Sequence, residues 1–159
     1  MKKLLLVLVL FVAAGAMAPL PLCASEVPDK AELKKMSEES MTAFGQALKD
    51  KDFSGFYIDI AAIWQKQTSP EKLQEAFKDM LGGNFDILGI VKELKPVFDP
   101  APQIDSDGVL IIKGYYPTKP NRLTFQLKYL EEEAEWKLVG INVKTEETPG
   151  AESKEKEGE

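Results

Sequence analysis

Apolar residues follow three successive rhythms along the chain. From Leu4 to Ala14 they form a run behind Lys2 and Lys3, from Leu33 to Met80 they recur near every third or fourth position, and beyond Gly83 they increasingly alternate with polar residues. A continuous run is what a translocon or bilayer selects. A period near 3.6 makes one dry stripe along a helix, and a period of two makes one dry face on a strand. The pattern therefore predicts a leader, then helices, then a sheet.

The leader has the parts of an export signal: positive charge at Lys2 and Lys3, an apolar core, and a small-residue region after it. A spanning helix needs roughly 20 apolar residues, and Gly15, Pro19 and Pro21 interrupt this run too early for that. Residues 1–24 are read as a signal peptide. Ala16-Met17-Ala18 fits the small-x-small rule but precedes Pro19, whereas Leu22-Cys23-Ala24 puts a large residue where a small one is preferred. Cutting after Ala24 is favoured; cutting after Ala18 and lipidation of Cys23 are the alternatives. Leu20 sits where a lipobox has its leucine, but Leu22 occupies the place of the usual Gly, Ala or Ser.

Leu33, Met36, Met41, Phe44 and Leu48, with Ala43 and Ala47, place an amphipathic helix between Pro28 and about Lys51, with Asp29 as its N-cap. Ser54 is expected to cap a second helix whose apolar face runs through Phe56, Tyr57, Ile60, Ala61 and Trp64. Ser69 and Pro70 start a third: the hydroxyl accepts a free backbone N–H, and proline at the first helical position sacrifices no hydrogen bond. Leu73, Ala76, Phe77 and Met80 are its expected buried stripe, and Gly82-Gly83 its stop.

Residues 87–94 read as a helical turn leading into an extended segment over 95–99. Pro96, Pro100 and Pro102 cannot donate to a ladder, which makes that segment an edge or bulged strand. Asp105-Ser106-Asp107-Gly108 is a turn, followed by a strand over 109–116 rich in branched and aromatic residues. In residues 122–130 the alternation is clean, with Leu123, Phe125, Leu127 and Tyr129 on one face. Residues 131–134 turn the chain into a last strand over 136–144. There Trp136 and Leu138 share one face, Val139, Ile141 and Val143 share the other, and Gly140 marks a bend or bulge. The fold class is α+β: N-terminal helices packed on a curved antiparallel meander sheet, as one domain over residues 25–144, with a disordered acidic tail over 145–159.

Several strings in this order resemble the cystatin-like cone fold of the nuclear transport factor two superfamily, particularly its small exported bacterial members of unassigned function. They are Ala47-Leu48-Lys49-Asp50-Lys51-Asp52-Phe53, the stretch from Phe56-Tyr57 to Trp64, the strand over 108–116, and Leu123-Thr124-Phe125-Gln126-Leu127-Lys128-Tyr129 with Glu135-Trp136-Lys137-Leu138-Val139-Gly140-Ile141. The resemblance spans residues 31–144 and consists of packing residues. It implies a sheet wrapped around a long helix, leaving a conical cavity whose mouth other members use for a ligand or for catalysis. Function varies widely on that fold.

Composition narrows the chemistry. There is no histidine, which removes the commonest acid–base group near neutral pH and the Ser-His and Cys-His nucleophile systems. Cys23 is the only cysteine, so cutting after Ala24 leaves no thiol and no disulfide. Removing Lys2 and Lys3 leaves 18 basic against 26 acidic residues, a net charge of −8. A surface this negative disfavours nucleic acid and anionic membranes, so a membrane partner is expected only through a lipidated Cys23. Glycine motifs for phosphates are missing, and Asp99, Asp105 and Asp107 lack the spacing of a calcium loop.

Carboxylates, tyrosines and one arginine remain. Steroid isomerases of the resembling fold combine an Asp base with Tyr and protonated Asp donors. The nearest ingredients here are Asp59 with Tyr57, Tyr115 or Tyr116, but Asp59 falls off the apolar stripe and reads as a solvated surface residue. Arg122 either pairs with a carboxylate or decorates the surface. Met41, Phe44, Phe56, Tyr57, Trp64, Phe77 and Tyr115, with Trp136, either line a ligand cavity or simply fill the core. The resulting expectation is a periplasmic or secreted, non-enzymatic domain without cofactor or metal that binds a small apolar ligand or a peptide or protein partner. A structural role as a homodimer through the sheet face is the alternative, and an Asp/Tyr-based isomerase or hydrolase is a third.

Overall fold

The computed structural model of the chain describes residues 26–81 and 86–148; the leader, with Cys23, the Gly82-Gly83 stop and residues 149–159 lie outside the described residues. Helix α1 spans Lys30–Asp50. Asp29 caps it, its carboxylate accepting from the N–H groups of Ala31 at 2.8 Å and Glu32 at 2.9 Å. Lys51 closes the helix in the left-handed region (φ 54°), and Leu33, Met41, Phe44, Ala47 and Leu48 form its buried stripe.

The expected second helix is two: α2 (Ser54–Asp59) and α3 (Ala62–Gln65). The break has a long-range cause, since Ile60 leaves the helix to bridge in parallel to Leu138 and the Ala61 N–H donates to the Leu138 carbonyl at 2.8 Å. Ser54 does not cap α2 with its side chain; its own N–H donates to the Asp52 carboxylate at 2.9 Å. The third helix likewise divides into α4 (Pro70–Ala76) and α5 (Lys78–Leu81). Ser69 caps α4 as expected, accepting from the Lys72 N–H at 3.3 Å. Leu73 is buried and Phe77 and Met80 half-buried, but Ala76 is exposed because the break at Phe77 turns the stripe. Helix α6 (Ile87–Glu93) then lies against α1, and the missing side chain of Gly45 lets Ile87 and Leu88 approach: a Cβ there would sit 3.1 Å from Ile87.

Five strands follow: β1 (Val97–Phe98), β2 (Gln103–Ile104), β3 (Leu110–Tyr116), β4 (Asn121–Glu132) and β5 (Glu135–Glu147). They form one antiparallel sheet, not closed into a barrel, with the helices packed on it. The short strands β1 and β2 both pair with the same edge of β3, divided by Pro100 and Pro102. Gly114 permits that approach, because a Cβ there would fall on the Val97 carbonyl oxygen and lie 2.8 Å from the Phe125 ring. Strands β4 and β5 are joined by a two-residue turn, Glu133 and Ala134, with φ of 52° and 65°.

Leu123, Phe125, Leu127 and Tyr129 are buried on the inner face of β4, as the alternation requires. On β5 the two expected faces merge. Tyr129 pairs with Leu138 but Lys128 pairs with Gly140, so Val139 is the extra residue of a bulge. The shift of phase turns Ile141 and Val143 onto the core side with Trp136 and Leu138. Strand β5 also outlasts its expected end at Lys144: Thr145, Glu146 and Glu147 pair with Leu123, Arg122 and Asn121.

Candidate functional site

The inner face of the sheet is largely filled. Phe44 meets Phe53, Phe56 and Phe77 edge-on at centroid distances of 6.2, 5.9 and 4.8 Å, and Met41 and Phe44 are 0% exposed. Rings at these spacings leave no hollow between α1, α2 and α4, so the middle of the molecule is packed core.

Among the described residues, shallower and larger hollows lie beside α6, and a cleft of about 330 Å³ lies where α1, the α2–α3 junction and the β4–β5 hairpin meet. Each wall is held by a specific contact. Tyr129, 2% exposed, places its hydroxyl 3.1 Å from the Met36 carbonyl and 2.8 Å from Ser40 Oγ, which ties β4 to α1. The Ile60–Leu138 bridge ties the α2–α3 junction to β5, and Glu132 Oε2 accepts from the Ala62 N–H at 3.0 Å. Gln65 braces the junction, donating from Nε2 toward the carbonyls of Tyr57, Ile58 and Ile60, while the Tyr57 hydroxyl donates to the Gln65 carbonyl at 3.0 Å.

The cleft has apolar walls from Met36, Ala43, Phe56, Ile60, Trp136 and Leu138, and polar groups from Glu39, Ser40, Asp59, Tyr129 and Lys137. Burial pushes the Tyr129 phenol up beyond its ordinary range, against the lowering effect of the Ser40 hydrogen bond. Lys137 is raised, first by its hydrogen bond to Glu135 at 2.7 Å, and Glu135 is lowered by the same contact. Asp59 and Glu39 are exposed at the rim. Apart from the tyrosines Tyr116 and Tyr129, Ser37 is the only buried polar or charged side chain among the described residues, and its hydroxyl donates to the Leu33 carbonyl.

Of the seven residues expected to line a ligand site, all but Tyr115 gather in or against the core, but they do not line one cavity. Phe56 alone lines the cleft. Met41, Phe44 and Phe77 belong to the packed core, Trp64 stacks edge-on against Phe56 at 6.3 Å without lining the cleft, and Tyr57 joins α2 to α3. Tyr115 is on the opposite face of the sheet, under the Arg122 guanidinium at 4.9 Å. Trp136 does line the cleft, and so do Asp59 and Tyr129, a different tyrosine from the three first considered with Asp59. The missed residues of α1, Met36, Glu39, Ser40 and Ala43, follow helical spacing along the flank of the buried stripe, which is the signal that finds them.

The outer face of the sheet is mostly polar, with Val97, Ile111 and Tyr115 as its apolar members. Lys113, Thr124, Gln126, Lys128, Asn142 and Lys144 stand along its three long strands, and Arg122 pairs with Glu146 at 3.1 Å. Glu146 is held low by its hydrogen bonds to Lys144 first and Arg122 second. The Asp105 carboxylate accepts from the N–H groups of Asp107 and Val109, which is turn chemistry. Among the described residues no group of three His, Cys, Asp or Glu side chains is placed to hold a metal ion, and no helix is long and apolar enough to cross a membrane. Compared with known families and curated proteins, the chain matches no family model and no curated protein.

Proposed function

We propose that this chain is an exported binding domain, with a cone of the nuclear transport factor two-like type, that holds one small amphipathic molecule in the cleft between α1, α2–α3 and the β4–β5 hairpin. The observation that carries the reading is the cleft itself: about 330 Å³, its wall shared about equally between apolar and polar side chains, as an amphipathic molecule needs. Binding is favoured over catalysis because no carboxylate among the described residues is buried. A buried carboxylate near a tyrosine hydroxyl is what an Asp/Tyr isomerase of this fold requires, and Asp59 and Glu39 are both solvated. The mostly polar outer face makes a second, apolar docking surface unnecessary to the reading.

Native mass spectrometry of the protein taken from its own cell envelope tests this. The expected result is a chain beginning at Ser25 that carries one non-covalent small-molecule adduct, which is lost from an Ile60→Trp variant whose larger ring occupies the cleft. A bare mature mass, or an adduct that survives Ile60→Trp, overturns the reading.

A further inference from the structure

The polar groups of the cleft are not equally free. The Tyr129 and Ser40 hydroxyls lie 2.8 Å apart and the Met36 carbonyl lies 3.1 Å from the Tyr129 oxygen, so the two O–H protons are engaged within the protein and only acceptor lone pairs remain for a ligand. The Lys137 ammonium pairs with Glu135 at 2.7 Å, so its charge in the cleft is offset by that neighbouring carboxylate. Two carboxylates remain. Asp59 makes no hydrogen bond or ion pair among the described residues, and it meets Lys137 only as a longer-range charge. Glu39 has Lys35 at 3.8 Å, a contact between two largely exposed side chains that contributes little. Trp136, half-buried, lines the same cleft as these carboxylates.

We infer that the cleft selects an organic cation, an amine or quaternary ammonium with an apolar body, over a neutral or anionic molecule of the same shape; this rests on the cleft being the binding site. The apolar body lies against Ile60, Leu138 and Phe56. The positive head takes the indole face and the open carboxylates, an arrangement that attracts a cation by charge and by the ring quadrupole together. A ligand carboxylate in the same place meets Asp59 and Glu39 as like charges, inside the field of an acidic chain.

Three probes with one tail separate the possibilities: octyltrimethylammonium, octanol and octanoate, each titrated into the protein at pH 7 and read by tryptophan fluorescence. The expected order is ammonium, then octanol, then octanoate, with about a tenfold step between the first and the last. The double variant Asp59→Asn with Glu39→Gln brings the ammonium to the affinity of octanol while leaving octanol unchanged. A control double, Asp50→Asn with Glu71→Gln, removes two exposed acids outside the cleft lining and keeps the wild-type order. Octanoate binding as well as the ammonium, or a preference that survives the cleft double or falls equally with the control, overturns the selectivity and leaves the cleft as a binding site. Failure of all three probes to bind overturns both.

Discussion

Replacing Tyr116 with phenylalanine removes one buried oxygen that has no hydrogen-bond partner among the described residues, whereas the same change at Tyr129 removes one that has two. Both phenols are inside the fold, Tyr116 at 0% exposure and Tyr129 at 2%. An unsatisfied buried hydroxyl costs about 1–3 kcal/mol of desolvation, so Tyr116→Phe stabilises the fold by about 1 kcal/mol while the ring keeps its packing against Phe125 at 5.6 Å. At Tyr129 a satisfied bond contributes about 1 kcal/mol net, and its loss also strands the half-buried Ser40 hydroxyl, so Tyr129→Phe costs about 1–2 kcal/mol. Urea unfolding followed by circular dichroism measures both, with unchanged slopes confirming that midpoints report stability. The two variants should move the midpoint in opposite directions, and in thermal melts differ by roughly 5–10 °C for a domain of this size. A Tyr116→Phe variant that loses more than about 1 kcal/mol refutes the reasoning, because the hydroxyl would then have a stabilising partner.

The same two phenols set an alkaline limit. Burial raises both pKa values, with Glu38 adding to the effect at Tyr116, so the protonated form is the one the fold holds. Their contribution is complete below the unfolded phenol value near 10 and is lost as pH rises through the folded values. Absorbance titration should show Tyr116 and Tyr129 ionising only with loss of structure; their ionisation in the still-folded protein would contradict this. Gly114→Ala should destabilise by about 2–4 kcal/mol by displacing β1 from β3, seen as lost amide protection at Asp99, whose N–H donates to the Lys113 carbonyl; near-wild-type stability would show that β1 is not held there. Phe44→Ala should cost about 3–5 kcal/mol, since the ring touches three others, and a loss below about 1 kcal/mol would mean the centre is not packed.

What the sequence discloses is what local forces decide. The Asp29 cap, the α1 stripe and the alternation of β4 rest on neighbours within a turn or a pleat, and all three are present as read. The break at Ile60 is different, because its cause is the Leu138 carbonyl on a strand far along the chain. The bulge at Val139 is half legible: Gly140 flags it, but only the pairing with β4 tells which residues share a face. The acidic stretch after Lys144 reads as solvated by composition, yet its backbone pairs with β4 through Glu147, with the Arg122–Glu146 contact across that pair. The cleft was hardest to foresee, since large aromatics were the natural candidates for a cavity and those side chains fill the core instead. Asp59 looked irrelevant because it falls off the apolar stripe, and that same offset puts it on the rim.

The most direct measurement of the central claim is an amide and indole chemical-shift map of the protein titrated with octanol. Shifts should concentrate at residues 36–43, at Asp59 and Ile60, and at residues 136–138, with the Trp136 indole among the largest and the outer-face residues Lys113, Tyr115 and Gln126 unmoved. Shifts confined to the outer face, or none at saturating octanol, would contradict the account.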